Sequence, residues 1–370
     1  MFSKTSHHNI VIRKQECRIA NILKQEMLSV GGDAAVARGV VDCSINHSDV
    51  ILMGTKKQIL LVCKKLRLQP FGLPQLAQEL EMMLANLEPR GSQWRIRDRE
   101  IPLGSKTLIM GILNLTPDSF SDGGTFQGAD IGIARAWALA EAGADIIDIG
   151  AESSRPGALP VSVEEEWGRL NPVLTKLGKQ TELSISIDTT KAEIARRALD
   201  CGARIVNDIS AMRFDAGMAK VVADNQAGLV LMHMKGHPRL MQEVEIHYDD
   251  IMGEIGEFLW ERVSFAIGEG VAKSSIVIDP GIGFGKRWQD NLMILKKLRE
   301  LNHLGLPLLV GASRKAFIGW LTAQEDPQKR ILGSVAAHCL AVLNGARIIR
   351  AHDVLETREA LAVIDAAAQL

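Results

Sequence analysis

From Thr107 onward the apolar positions repeat one pattern: a short apolar run, a cluster of polar and glycine residues, then apolar residues three to four apart. Short apolar runs bounded by turn residues predict buried strands, and the three-to-four spacing predicts amphipathic helices. Strands are expected at Thr107–Leu115, Asp145–Ile149, Leu183–Ile187, Arg204–Val206, Gly228–Met232, Ser275–Ile278, Leu306–Val310 and Arg347–Ile349. The clearest helices are Ile131–Ala142, Ala192–Asp200 and Ile251–Glu269. Several helical stretches run into Gly just before the next strand (AEAGAD, LDCGAR, LNGAR), the usual helix stop. Eight strand–helix units in about 265 residues match a (β/α)8 TIM barrel, an α/β fold. A doubly wound open sheet would usually carry a Gly-rich phosphate loop after its first strand, and none is present.

The first hundred residues follow a different order. Strands are expected at Asn9–Arg13, Ala34–Val41 and Val50–Met53, and helices at Ile19–Ser29, Lys57–Lys65 and Pro74–Leu87. That order suggests a small α+β domain over residues 1–100, joined to the barrel of residues 101–370 through the charged stretch EPRGSQWRIRDREIPLG. It contains no constellation of catalytic residues. His7 and His8 fit a mobile terminus better than a metal site. The domain's role stays open between assembly, docking of a neighbouring enzyme and a stabilising appendage.

Composition narrows the function classes. With a net charge of -1 there is no general attraction to nucleic acid or to a membrane surface. No uncharged run approaches the ~20 residues of a membrane helix, and the first residues lack the apolar centre of a signal peptide. The five cysteines are odd in number, far apart and never in a CxxC pair, so free thiols in a reducing cytosol are expected. These features lead to the expectation of a cytoplasmic protein.

The end of each expected strand carries the candidate chemistry, because a barrel builds its site from the loops that follow its strands. In chain order these ends hold Asn114, Asp118 and Asp122; Glu152, Ser154 and Arg155; Asp188; Asn207 and Asp208; His233, Lys235 and His237. The last three strands run into DPGIGFGK, GASRK and RAHD. Any one of them has a bland alternative: Asp188, ahead of TTK, is as readily a helix cap as a ligand. As a set they have chemical logic. Asp188, Asn207 and Asp279 suit a flat nitrogen heterocycle, whose N–H groups need acceptors. Arg155, Arg314, Arg350 and His352 suit an anionic leaving group. Asn114 offers an oxygen of the kind Mg2+ accepts alongside water and phosphate.

Over roughly Ile101 to Leu370 the chain resembles the dihydropteroate synthase family. The resemblance is carried by NLTPDSFSDGG, GADIIDIGAESSRPGA, SIDTTKAEIARRAL, NDISA, LMHMKGHPRLMQ, VIDPGIGFGK, GASRKAFIG and RAHDV. It implies condensation of (7,8-dihydropterin-6-yl)methyl diphosphate with 4-aminobenzoate, releasing pyrophosphate, with Mg2+ as cofactor. It implies that Asp188, Asn207, Met232, Asp279 and Lys315 hold the pterin, and that Ser154, Arg350 and His352 hold pyrophosphate. Asn114 would bind Mg2+, while Phe120, Pro156, Phe284 and Ser313 would form the 4-aminobenzoate pocket. Asp122, Arg155 and Lys315 would act in catalysis, and a homodimer is the family expectation. The second loop reads GAESSRPG, placing Ala151 and Ser154 where the family more often has Gly and Thr. The hydroxyl is kept, but sensitivity to sulfonamides, which target this family, could shift. Typical bacterial members lack the amino-terminal segment. Two rivals remain: a pterin-binding methyltransferase barrel, which does not need TPDSFSDGG, ESSRPG or SRK, and a barrel that binds pterin without turnover.

Overall fold

The structure, a computed structural model, describes residues 7–87, 92–104, 106–115, 125–153, 159–180, 183–236 and 246–369. It divides into two compact units, Met1–Pro89 and Arg90–Leu370. Among the described residues no helix is long and apolar enough to cross a membrane.

The first unit is an α+β layer. Strands β1 (His7–Glu16), β2 (Asp33–Val36) and β3 (His47–Thr55) form an antiparallel sheet in the order β1-β3-β2. Helices α1 (Cys17–Ser29), α2 (Lys56–Leu66) and α3 (Leu73–Asn86) supply the remaining elements. Leu23, Met27, Leu52, Ile59, Leu66 and Leu80 lie in its own buried core. Thr55 and Gln58 close α2 in a capping box.

Three expectations are corrected here. Residues expected as a strand over Ala34–Val41 split into β2 and a 3-10 turn at Arg38–Val40. His7 and His8 belong to β1, opposite Thr55 and Gly54, instead of a mobile terminus. Cys17 and Cys43 are joined as a disulfide with their Cα atoms 5.7 Å apart, while Cys63, Cys201 and Cys339 are free. The fold brings the start of α1 against the turn after Val40, a meeting that linear cysteine spacing does not encode.

The second unit is the barrel. Its parallel strands are β6 (Leu108–Asn114), β7 (Ile146–Gly150), β8 (Ser184–Asp188), β9 (Ile205–Asp208), β10 (Gly228–Met232), β11 (Ile276–Asp279), β12 (Leu309–Val310) and β13 (Ile348–Ala351). They are hydrogen-bonded in the order β11-β10-β9-β8-β7-β6-β13-β12, and a parallel bridge from Ile278 to Leu308 closes the ring. The strand expected at Leu306–Val310 is reduced to two residues, because Pro307 has no N–H to give a ladder. Between the strands run α4 (Thr125–Glu141), α5 (Val163–Gln180), α6 (Ala192–Asp200), α7 (Met218–Asp224), α8 (Ile251–Gly268), α9 (Trp288–Lys297), α10 (Ala316–Thr322), α11 (Ile331–Leu343) and α12 (Val354–Ala368).

The division between the units falls at Pro89/Arg90, ahead of the expected 100/101. The reason is a hairpin, β4 (Ser92–Ile96) with β5 (Arg99–Leu103), inside the stretch taken for a charged connection. Its alternating Trp94, Ile96 and Leu103 are buried with Met110, Ile146, Ile205, Val230, Val277, Leu309 and Ile348 in the barrel interior. Trp94 donates its indole N–H to the Ser275 carbonyl at 2.8 Å. Gly228 opens β10 because a Cβ there would stand 2.5 Å from Ile96 and 3.3 Å from Trp94. One end of the barrel is thereby packed shut, leaving the carboxyl ends of the strands for chemistry.

Candidate functional site

Strand register aligns the polar ends of the first four barrel strands. Asn114 pairs with Gly150, Gly150 with Asp188, and Asp188 with Asn207. Two strands on, Met232 pairs with Asp279. These residues end β6, β7, β8, β9, β10 and β11, so the rim inferred from the strand ends is a physical one.

A cavity of about 1750 Å3 opens there, lined among others by Asn114, Asp188, Phe284, Ser313, Lys315, Arg350 and His352. Asn207, Met232 and Asp279 do not line it; each is nearly buried. Arg350 ties β13 to β7 and β8. It donates Nε to Asp148 at 2.6 Å and Nη2 to Asp188 at 2.6 Å. Asp148 also accepts from Asn207 Nδ2 at 3.1 Å.

This network has pronounced electrostatics. Burial pushes Asp188 up to about 7, with Asp148 adding to the effect and Arg350 opposing it. Burial pushes Asp279 up to about 6, against the Gly281 N–H it accepts at 2.7 Å and the charge of Lys315. Lys315 is drawn down to about 8 by burial and by Arg350. The Lys315 ammonium lies over the Phe284 ring, 4.1 Å from its centroid.

The loop after β11 depends on its glycines. Gly281 and Gly285 are left-handed (φ 70 and 62), and a Cβ on them would meet the carbonyls of His233 at 1.9 Å and Lys235 at 2.2 Å. This close approach seats Phe284 beside Met232 and Met234. Lys286, also in the loop, donates to the Phe284 carbonyl at 3.0 Å and stands 2.9 Å from His233 Nδ1. Burial and the Lys286 charge keep His233 neutral, holding it down to about 2.

On the other side, Ser313 Oγ accepts the backbone N–H of His352 at 3.1 Å and lies 3.0 Å from His352 Nδ1. Burial and the neighbouring arginines hold His352 down to about 3, so the ring is neutral. In a neutral ring one nitrogen donates and the other accepts, so the tautomer in which Nδ1 accepts from the Ser313 hydroxyl carries its proton on Nε2.

Two residues at the strand ends are engaged within the protein. Arg314 is committed to Asp353 by a bidentate pair at 3.0 and 2.5 Å, with its backbone in the left-handed region. Asp208 accepts from Ser210 and from the Met212 backbone, shaping the turn after β9. Phe120, Asp122, Ser154, Arg155 and Pro156, with Asp118 and His237, lie outside the described residues.

Two functional groups were missed from sequence. Asp148 sits mid-strand in IIDIG, where a charged residue between buried isoleucines was itself the signal. The other is Lys191, which donates at 2.5 Å to both Glu152 and Glu166. Glu166 is fully buried and also accepts from Thr189 Oγ1 at 2.8 Å. Glu152 begins the loop that carries Ser154 and Arg155, so this pair anchors its stem.

Comparison with known proteins agrees with this geometry. A profile described as pterin binding enzyme matches residues 110–352. A dihydropteroate synthase of Synechocystis is 46% identical over 263 residues, covering 71% of this chain and 91% of that protein. A crystallised Xanthomonas albilineans dihydropteroate synthase with 4-aminobenzoic acid superposes with a TM-score of 0.71 at 45% identity, over 76% of this chain and all (100%) of that one. A probable bifunctional folylpolyglutamate synthase/dihydropteroate synthase of Halobacterium salinarum is 38% identical over 362 residues. That match covers 97% of this chain, amino-terminal unit included, and 43% of the relative.

Proposed function

The chain belongs to the pterin binding enzyme family, and on that footing we propose how its residues divide the work of a dihydropteroate synthase. The reaction is transfer of a pterin-methyl group from diphosphate to the amine of 4-aminobenzoate. The C–O bond to diphosphate breaks with its electron pair leaving on oxygen, a C–N bond forms, and the amine gives up a proton.

In this reading Asp188, Asn207 and Asp279 accept from the N–H groups of the pterin edge, and Met232 packs on its face. Lys315 donates to the ring's acceptors while its ammonium rests on Phe284. Arg350 and His352 face the leaving diphosphate, with His352 offering Nε2–H and Ser313 fixing its ring. Phe284 and Ser313 border the space for 4-aminobenzoate. Asp122, Arg155, Ser154, Phe120 and Pro156 remain proposals from the sequence, the first two in catalysis and the others in ligand contact.

Mg2+ enters on donor chemistry. Among the described residues no group of three metal-binding side chains exists, and Asn114 stands exposed at the end of β6. A single amide oxygen suits an ion that keeps its waters and takes phosphate oxygens, so Asn114 would hold it. When bound, the ion supplies charge neutralisation for the departing diphosphate.

We also infer a homodimer. Met293, Trp320, Leu321, Leu332, Leu340 and Leu343 on α9, α10 and α11 are exposed apolar residues, the kind of face a second copy covers. Sedimentation of the intact chain, where a monomer would defeat it, is the check. A cytosolic site of action is part of the same reading and rests on composition and charge.

The observation that carries the function is the joining of acceptors, cations and aromatic surface at one rim through Arg350. Its test is pyrophosphate release from the pterin diphosphate with Mg2+, with and without 4-aminobenzoate. Release that requires the arylamine and yields dihydropteroate is expected; pterin binding without turnover would overturn it.

A further inference from the structure

Asp148 is fully buried in the interior of β7, flanked by Ile147 and Ile149. A carboxylate there is costly, and an apolar side chain would pack at no such cost. Its Oδ2 has two donors, Arg350 Nε and Asn207 Nδ2, at 2.6 and 3.1 Å. Its Oδ1 has no partner among the described residues, and neither has the hydroxyl of Ser186, its register neighbour on β8. The carboxylate is thus only half satisfied, which argues that stability is not what it is for.

What it does decide is the direction of an amide. A carboxylate only accepts, so Asn207 must turn Nδ2 toward it. Asn207 Oδ1 then becomes the atom left over, and no described residue donates to it. A side chain with no acceptor at position 148 would leave the Asn207 amide unfixed. With Asp148 present, one Asn207 N–H is held and Oδ1 is the acceptor turned away from it.

That matches the ligand class proposed above. A pterin edge presents ring N–H and amino groups, and Asp188 and Asp279 also accept there. We propose that Asp148 is a positioning residue for pterin recognition: it fixes the Asn207 amide acceptor-outward and tethers Arg350 beside it. The inference rests on Asn207 being a pterin contact.

The test removes the acceptor and then restores it. Asp148→Ala leaves Arg350 Nε and Asn207 Nδ2 without the oxygen they share. In Asp148→Asn the amide oxygen takes the place of Oδ2 and accepts from both, because a guanidinium can only donate. Binding of the pterin diphosphate to the full chain is read by calorimetry, with steady-state KM values for both substrates. Asp148→Ala is expected to bind the pterin at least tenfold more weakly, with the KM for 4-aminobenzoate within threefold of the parent. Asp148→Asn is expected to stay within threefold of the parent for both. A loss below threefold in Asp148→Ala, or an Asp148→Asn that binds no tighter than it, would overturn the proposal. Should Asp148→Ala not fold, Asp148→Leu, which fills the space without an acceptor, takes its place under the same limits. Parent protein that binds no pterin diphosphate would instead defeat the pterin reading itself.

Discussion

The Lys315 ammonium and the Phe284 ring form a stacked pair, 4.1 Å from charge to ring centroid, at the wall of the cavity. Burial draws Lys315 down to about 8, and the ring's negative face works against that drift by favouring the charged amine. Phe284→Leu is therefore expected to move the basic limb of the pH–rate profile to lower pH by about one half to one pH unit. The KM for 4-aminobenzoate should rise about tenfold through lost aromatic contact. An unmoved basic limb would show that the ring does not hold the lysine's charge.

A second prediction concerns acid. Asp188 and Asp279 titrate at about 7 and about 6 in the folded protein, above their ordinary value, chiefly through burial. Groups raised on folding stabilise the fold most in acid, and that contribution is lost as pH rises through about 6 and 7. Pterin binding runs the opposite way, since each protonated carboxyl loses an acceptor site. Affinity for the pterin diphosphate should fall by up to about tenfold from pH 7 to pH 6, and more steeply below. Calorimetry across this range checks it, and Asp188→Asn should remove the upper step.

Lys191 supplies a stability prediction. Removing it as Lys191→Met strands the buried Glu166 carboxylate, with Thr189 the one side-chain donor left to it among the described residues. An uncompensated buried charge costs about 3–5 kcal/mol. Urea unfolding should show a loss in that range, and Lys191→Met/Glu166→Gln should regain at least half. Equal losses in both variants would argue that the ion pair is not the cause.

Two glycines two residues apart, Gly281 and Gly283, should respond differently. At Gly281 a Cβ meets a backbone carbonyl at 1.9 Å, whereas at Gly283 it meets only the flexible Lys315 side chain at 3.1 Å. Both are left-handed, so alanine carries a similar conformational cost of about 1–2 kcal/mol at each. Gly281→Ala must also push β10 and its following loop away. It should raise the pterin KM well over tenfold, and Gly283→Ala severalfold at most. Steady-state kinetics of the two variants decide this.

The eight barrel strands were legible because each is an apolar run ended by polar and glycine residues, and five are buried at every position. The rim followed directly, since register aligns strand ends. The β4–β5 hairpin was obscured by Arg95, Arg97, Asp98, Arg99 and Glu100, whose charges face away from the buried Trp94, Ile96 and Leu103. Asp148 and Lys191 escaped notice because their partners lie far off in sequence: Arg350 is 202 residues from Asp148. The Cys17–Cys43 bond was hidden for the same reason, being a product of how the small unit folds.

The hairpin that stoppers the barrel also dictates traffic. With Trp94 and Ile96 packed into the foot of the barrel, that end is filled with side chains. Whatever reaches the polar rim approaches from the carboxyl side of the strands. Arrival of a substrate and departure of a product therefore share one end of the barrel.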